Sequence, residues 1–146
     1  MTTAKIHRPN LLVADLERSL RIYRDILGFQ VAYAGPASEG GLMQNLFNLA
    51  PDKPLRIAFL STGDDGWGAL ALTESREAPA NPTDGNHRVL IITEVDGDLD
   101  EVIRQLKDKG VTVDRRFELY DPPRTDVAFT DPDGHRVVLF QQHPAN

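Results

Sequence analysis

The sequence contains no cysteine, which excludes disulfide bridges and thiolate chemistry. It has no apolar run near the roughly 18 residues that a membrane-spanning helix needs, and the first ten residues, MTTAKIHRPN, lack the apolar stretch of a secretion signal. Basic residues are in deficit: the formal net charge of -6 argues against binding to a phosphate backbone. We therefore expect a cytoplasmic protein that binds neither nucleic acid nor membrane.

What the sequence does contain is one pattern that occurs twice. The first copy starts with a strand-like run at residues 9–13, followed by Asp15, a preferred N-cap residue. Gly28 ends the predicted helix, and further strands are predicted at residues 29–35, 55–60 and 69–73. One face of the helix carries apolar side chains at helical spacing: Leu16, Leu20, Tyr23 and Leu27.

The second copy repeats these elements in the same order. A strand at residues 89–95 precedes Asp98 at a helix N-cap, and Gly110 ends the helix. Further strands are predicted to begin at residues 111–113 and to cover 126–130 and 136–140. The apolar helix face consists of Leu99, Val102, Ile103 and Leu106.

Both halves are therefore predicted to be β-α-β-β-β modules. Module one covers about residues 4–75 and module two about residues 87–142, and a linker rich in proline, asparagine and glycine joins them at about residues 76–86. A repeat this long indicates a duplicated module rather than a solenoid. We predict one α+β domain over residues 1–146, with two tandem βαβββ modules whose curved mixed sheets form a shared cleft.

The last predicted strand, within DPDGHRVVLFQQ, is apolar on both of its faces. Val137 and Leu139 point to one face, whereas Val138 and Phe140 point to the other. A strand with one face in water is expected to alternate apolar and polar residues. We predict that the first pair packs under the helix and that the second pair lines the cleft.

Two segments, VADLERSLRIYRDILGF and DPDGHRVVLFQ, resemble the most recurrent segments of the vicinal oxygen chelate superfamily. This superfamily includes glyoxalase I, the bleomycin-resistance proteins and the extradiol dioxygenases, and the paired modules extend the resemblance over nearly the whole chain. The resemblance implies the fold, and it implies a homodimer, because relatives commonly dimerise. It does not imply one activity, since the same fold carries lyases, epimerases, dioxygenases, thiol transferases and binding proteins.

In the metal-dependent relatives, each module supplies one ligand near the start of its first strand and another in its last strand. The corresponding positions here hold Arg8, Ala71, Leu90 and Val138. None of these side chains binds a divalent cation, and arginine, which is always protonated, repels one. The sequence therefore predicts no metal site and no cofactor.

Other residues of ligand type lie near these positions. By strand alternation they face away from the cleft, or they lie in turns and in the C-terminal tail. We interpret them as surface or turn residues: His7, Glu74, His87, His135 and His143.

Strand alternation also predicts which side chains line the cleft. Arg8 is the main candidate among them, because a guanidinium beside apolar residues needs an acceptor. That acceptor is either Glu94 or another carboxylate of the same chain, or a carboxylate, phosphate or enolate-like oxygen of a ligand. The predicted ligand-binding residues are Arg8, Asn10, Arg56, Thr73, Ile92, Glu94, Arg136, Val138 and Phe140.

Two hypotheses for function follow. The first is a metal-free binding protein that holds an anionic or planar small molecule in the cleft. The second is an enzyme of the glyoxalase-type lyase, epimerase or dioxygenase class, which either uses a metal on displaced ligands or works without one through Arg8 and Glu94. No glycine-rich phosphate loop or other cofactor motif occurs in the sequence.

The connection over residues 34–54 is long and carries several apolar side chains. We predict a short helix in it that either covers the cleft or meets a partner chain. Its apolar residues are Leu42, Met43, Leu46, Phe47 and Leu49.

Overall fold

The computed structural model describes residues 2–3, 5–37, 41–63, 68–77 and 87–144. The chain divides into two compact units, Met1–Ala80 and Asn81–Asn146. This division falls within the segment predicted as a linker, of which residues 78–86 lie outside the described part of the chain.

Unit 1 is built on a four-stranded mixed sheet in the order β1-β4-β3-β2. Strands β1 and β4 are parallel, and the other neighbours are antiparallel. The helix α1 continues directly into a π-helical turn, Arg21–Ile26. The elements are β1 (Asn10–Val13), α1 (Leu16–Leu20), β2 (Gln30–Pro36), α2 (Leu42–Leu46), β3 (Arg56–Ser61) and β4 (Leu70–Glu74).

Two carboxylates hold the start of α1. Asp15 is the N-cap residue, and its side chain accepts a hydrogen bond from the Arg18 backbone N at 3.1 Å. The Glu74 carboxylate, at the end of β4, accepts one from the Leu16 backbone N at 2.7 Å. Both interactions satisfy backbone donors that have no partner within the helix. The contact of Glu74 also shows which sheet face carries α1.

The π-helical turn changes which residues of this helix are buried. The predicted stripe places Leu27 on the buried face, but this residue is half-buried, whereas Ile22 is 2% exposed and its neighbour Tyr23 is fully buried. A π turn is wider than an α turn, so the apolar face rotates after Leu20. The prediction for Leu27 is therefore wrong for a geometric reason.

Unit 2 repeats the topology with a four-stranded mixed sheet in the order β5-β8-β7-β6. Strands β5 and β8 are parallel, and the remaining pairs are antiparallel. The predicted α+β class and the repeated β-α-β-β-β order are confirmed, with α2 as an addition in unit 1. No helix in the described ranges is long and apolar enough to cross a membrane. The elements are β5 (Leu90–Glu94), α3 (Leu99–Asp108), β6 (Val113–Tyr120), β7 (Pro123–Thr130) and β8 (Arg136–Gln142).

The two faces of β8 differ as the sequence predicts. Val137 and Leu139 are fully buried, and they pair with Phe129 and Val127 of β7, which are also buried. Val138, which alternates with them, is half-buried on the other face. Burial of one such side chain stabilises the fold by about 1.5–3 kcal/mol. The apolar face of α3 contributes Leu99, Ile103 and Leu106 to the core of this unit.

Candidate functional site

The sheet face of unit 1 opposite α1 carries the first candidate site. Asn10 pairs with Ala71 and Leu12 pairs with Thr73, and directly paired residues point to the same face of a sheet. Strand β3 adds two side chains to this face, and β2 adds one. We call it the Arg8 face; its residues are Arg8, Asn10, Leu12, Tyr33, Ile57, Phe59, Ala71 and Thr73.

Arg8 is anchored on this face at two points. Its Nε donates a hydrogen bond to the Gly68 carbonyl at 3.1 Å, and its guanidinium carbon lies 5.0 Å from the centre of the Phe59 ring. Among the described residues, no acceptor bonds its outer nitrogens, Nη1 and Nη2. Within the described part of the chain, the guanidinium is therefore held in place while its edge that suits a two-oxygen anion has no acceptor.

Gly68 is required for this anchor. Its φ of +107° is a conformation that residues with a side chain rarely adopt, and a Cβ here would lie 2.1 Å from the Leu60 carbonyl oxygen. The backbone of Gly68 thus lies against β3 more closely than any other residue type allows. This close approach positions the carbonyl that accepts from Arg8.

The Asn10 amide, near Arg8, is held in place by Thr73 of β4. The Thr73 hydroxyl, fully buried, donates to Asn10 Oδ1 at 2.8 Å and so orients the amide. The amide nitrogen of Asn10 contacts the sulfur of Met43 in α2 at 3.7 Å. Since a thioether is a weak acceptor, Asn10 keeps donor capacity for a ligand. This contact places Met43 of α2 beside the Arg8 face.

An aromatic pair lies beside Arg8. The rings of Tyr33 and Phe59 are 6.0 Å apart and tilted by 44°, and the Tyr33 hydroxyl donates to the Pro36 carbonyl at 3.0 Å. Both side chains are half-buried. They provide a partly exposed aromatic surface next to a cation.

Sequence reasoning missed these two rings and misplaced Arg56. It placed Arg56 on the ligand side with Ala58 and Leu60, but β3 pairs Arg56 with Glu74 and Phe59 with Ala71. Arg56 therefore points to the α1 side of the sheet, where Glu74 caps the helix, and not to the face on which it was predicted to lie. The error is one residue of register, which exchanges the two faces of a strand.

Unit 2 has a corresponding sheet face opposite α3. The five predicted site residues of this unit all lie on one side of the sheet, because Ile92 pairs with Val138 and Glu94 pairs with Phe140. Arg136, two residues before Val138, shares that side. We call it the Arg136 face; its predicted site residues are Ile92, Glu94, Arg136, Val138 and Phe140.

The two arginines near this face are engaged within the chain. Arg136, whose side chain is 11% exposed, pairs with Asp114 at 2.9 Å and donates to the Thr130 hydroxyl at 3.0 Å. The hydrogen bond from Arg136 lowers the pKa of the Asp114 carboxyl. Arg124 pairs with Asp126 at 2.8 Å. Arg8 differs from both, since no described carboxylate pairs with it.

The side chains at the four positions that the resemblance matched to metal ligands do not fit a divalent cation. Arg8, Ala71, Leu90 and Val138 offer no lone pair from a side chain suited to one. Within the described ranges, no three histidine, aspartate or glutamate side chains gather as a metal site would require.

The displaced candidates have other roles or lie on the surface. Glu74 caps α1, the His135 backbone N donates to Asp131 in the turn before β8, and His143 Nε2 contacts the Thr125 hydroxyl at 2.7 Å. His7 and His87 are exposed.

Comparison with known proteins agrees with the fold. The family model described as Glyoxalase/Bleomycin resistance protein/Dioxygenase superfamily matches residues 5–139. A glyoxalase family protein from Bacillus cereus is 17% identical with a TM-score of 0.74, and the match covers 99% of each chain. One from Enterococcus faecalis is 20% identical with a TM-score of 0.61, covering 93% of this chain and 96% of that one.

A third similar structure contains a metal and an anion. It is the fosfomycin resistance protein FosX from Listeria monocytogenes, complexed with Mn(II) and sulfate ion. It is 17% identical with a TM-score of 0.63, and the match covers 98% of this chain and 95% of that one. At this identity the likeness shows a shared fold. Because the family model covers most of the sequence, this chain belongs to the Glyoxalase/Bleomycin resistance protein/Dioxygenase superfamily.

Proposed function

We propose that this chain is a small-molecule-binding protein that has lost the metal site of its family and binds an anionic, planar ligand through Arg8. The observation that carries the proposal is the state of Arg8. It is anchored by the Gly68 carbonyl and by Phe59, with no described acceptor on its outer nitrogens. An anion with two oxygens in one plane matches the edge of this guanidinium formed by Nη1 and Nη2.

The neighbours of Arg8 support a planar, partly apolar ligand. Asn10, oriented by Thr73, supplies a donor, and Phe59 with Tyr33 supplies an aromatic surface. A small-molecule site needs this combination of apolar wall and few polar groups. We propose ligand contacts for Arg8 and Asn10 in unit 1, where the buried Thr73 acts by orienting Asn10, and for Ile92, Glu94, Arg136, Val138 and Phe140 in unit 2. Arg56 is left out because it points to the α1 side.

Loss of the metal site is supported by the chemistry of the residues that replace its ligands. Alanine, leucine and valine supply no donor atom, and Arg8 adds a positive charge where relatives place a metal ligand. Structures of FosX from Listeria monocytogenes contain Mn(II) with sulfate ion or with dihydroxypropylphosphonic acid. Anion binding on this fold therefore has a precedent, and we propose that Arg8 supplies here the positive charge that binds the anion.

We also propose that the protein is a cytoplasmic homodimer. Members of this family commonly dimerise, and the edge strand β6, which among the described strands pairs only with β7, can accept a strand of another chain. The absence of cysteine from the sequence is compatible with a reducing compartment.

Substitution of Arg8 tests the anion site. We expect Arg8→Ala to weaken the binding of benzoate, a planar carboxylate, by about 10- to 100-fold, because a charge-assisted hydrogen bond contributes roughly 1.5–3 kcal/mol. Isothermal titration calorimetry measures the change. Arg56→Ala is the matched control, since it removes the same charge from the opposite face of the same sheet. Equal effects of the two variants, or no binding of benzoate by the unaltered protein, would contradict the proposal.

Metal titration tests the proposed loss of the family's metal site. We expect protein purified without added metal to take up no stoichiometric Mn(II), Zn(II), Ni(II) or Fe(II), and to show no rise in Tm when any of them is added. A ligand that binds only the folded state raises Tm, so thermal unfolding reports binding independently of metal analysis. Uptake of one ion per chain with a higher Tm would instead support an enzyme with displaced ligands.

A further inference from the structure

Strand β6 is a long, exposed edge of the unit 2 sheet. It spans Val113–Tyr120 and, among the described strands, pairs only with β7. Every residue of it after Val113 is exposed. Its outer side therefore presents a row of backbone donors and acceptors that another strand can pair with.

The side chains of β6 divide into an apolar and a charged set. Phe117 and Leu119 lie on the Arg136 face, where they are 57% and 40% exposed. Arg116 and Glu118 lie on the α3 face, where Arg116 pairs with Asp100 of α3 at 3.1 Å and with Glu118 at 2.9 Å. Exposed apolar side chains on an unpaired edge mark a surface that favours association.

We propose that β6 pairs antiparallel with β6 of a second copy of this chain, centred on Phe117, so that two unit 2 sheets join into one. The inference rests on the proposed homodimer and assigns its interface. In such a dimer a twofold axis runs perpendicular to the joined sheet. Side chains on one face of the first sheet then continue on the same face of the second only if the axis passes between one residue of β6 and the same residue of the other copy. The middle of β6 offers three such centres: Arg116, Phe117 and Glu118.

Charge selects the centre among these three. Centring on Phe117 places Arg116 opposite Glu118 of the second copy, once on each side of the axis, and brings two phenyl rings together. Centring on Arg116 places two guanidiniums opposite each other, and centring on Glu118 does the same with two carboxylates. Like charges directly opposite are destabilising. Of the three registers, only the one centred on Phe117 places Arg116 opposite Glu118 on both sides of the axis.

Arg116 and Glu118 both carry their charges at neutral pH. Hydrogen bonds from the Thr125 hydroxyl and from Arg116 lower the pKa of the Glu118 carboxyl. Among the described residues on the same face, the other titratable groups near this pair are Asp100, bound to Arg116, and His143, which contacts Thr125. Glu118 is therefore a carboxylate at neutral pH and available to a second arginine.

Complementary charge reversal tests both the partner and the register. The single variants Arg116→Glu and Glu118→Arg each place like charges across the axis, so we expect each alone to dimerise at least about 10-fold more weakly than the unaltered protein. An equimolar mixture of the two restores opposite charges in both pairs, and we expect it to form heterodimers. Sedimentation velocity over a range of concentrations measures the assembly. Arg104→Glu, an exposed substitution on α3 that leaves β6 unchanged, is the matched control.

A covalent test does not depend on those charges. The chain has no cysteine, so Phe117→Cys introduces one thiol per chain. Under mild oxidation we expect a disulfide-linked dimer, because directly opposed residues of antiparallel strands lie within disulfide reach. Arg104→Cys is expected to stay uncrosslinked.

The outcomes separate the interface from the dimer itself. If the single variants still dimerise normally and Phe117→Cys does not crosslink, β6 is not the interface although the homodimer stands. If the unaltered protein is monomeric at all concentrations, the homodimer and the β6 interface are both overturned. The exposed edge of β6 could then pair only with a different protein. Failure of the mixture to associate, when both singles have lost the dimer, overturns the Phe117 register.

Discussion

Gly68→Ala is expected to destabilise the protein by about 2–5 kcal/mol. A left-handed backbone conformation costs a residue with a side chain roughly 1–2 kcal/mol, and an overpacked site adds about 1–3 kcal/mol. Both contributions apply here, because φ is +107° and the added Cβ would lie 2.1 Å from a backbone oxygen of Leu60. Backbone cannot rotate away as a flexible side chain does. Chemical denaturation monitored by circular dichroism measures the loss.

Gly28→Ala separates the two contributions. Gly28 has a φ of +80°, but a Cβ at this position meets no atom within 4 Å. We expect this control to lose only the conformational part, about 1–2 kcal/mol. If both alanine variants are equally stable, the close approach of Gly68 to β3 is wrong.

The same substitution has a functional consequence. The Gly68 carbonyl accepts the hydrogen bond from Arg8 Nε, so a shift of this backbone releases the anchor of the guanidinium. We therefore expect folded Gly68→Ala to bind benzoate more weakly than Gly28→Ala does. The two residues thus link a backbone requirement to the proposed anion site.

Phe129→Ala is expected to destabilise unit 2 by about 3–5 kcal/mol, the range for truncating a buried aromatic side chain. Phe129 is fully buried and pairs with Val137 on the α3 side of the sheet. Truncation leaves a cavity that the neighbouring strands fill only in part. Denaturant unfolding at low protein concentration measures the change without a contribution from dimer dissociation.

Phe117→Ala is the matched control for this prediction. It is the same substitution in the neighbouring strand of the same sheet, but Phe117 is 57% exposed. We expect a loss below about 1 kcal/mol in the monomer, since most of the ring is already in water. Similar losses for the two phenylalanines would mean that the assigned faces of this sheet are wrong.

Much of the fold follows from local patterns. Asp15 and Asp98 act as N-cap residues, as predicted, and each accepts a hydrogen bond from the backbone N three residues later. The alternation of Val137 and Val138 between a buried and a half-buried position is also as predicted. These features depend on residues close together in the chain, so their spacing in the sequence is sufficient to predict them.

The positions of the candidate site residues were predicted only in part. Asn10 and Thr73 share a face, as predicted, and are joined by a hydrogen bond. Arg56 lies on the opposite face of the sheet, and β3 presents Phe59 on the predicted ligand side instead. The strand LRIAFLS is apolar on both faces over most of its length, so its alternation did not show which face meets α1.

Local sequence patterns were sufficient to predict the family, the two repeated units, the helix caps and the faces of β8, because each of these depends on residue types at fixed spacing. Local patterns predicted neither the register of β3, nor the π-helical turn after α1, nor the anchoring of Arg8. The carbonyl that holds Arg8 belongs to Gly68, in a different part of the sequence. Pairing between distant segments is set by how whole strands pack against each other, and no local spacing encodes it.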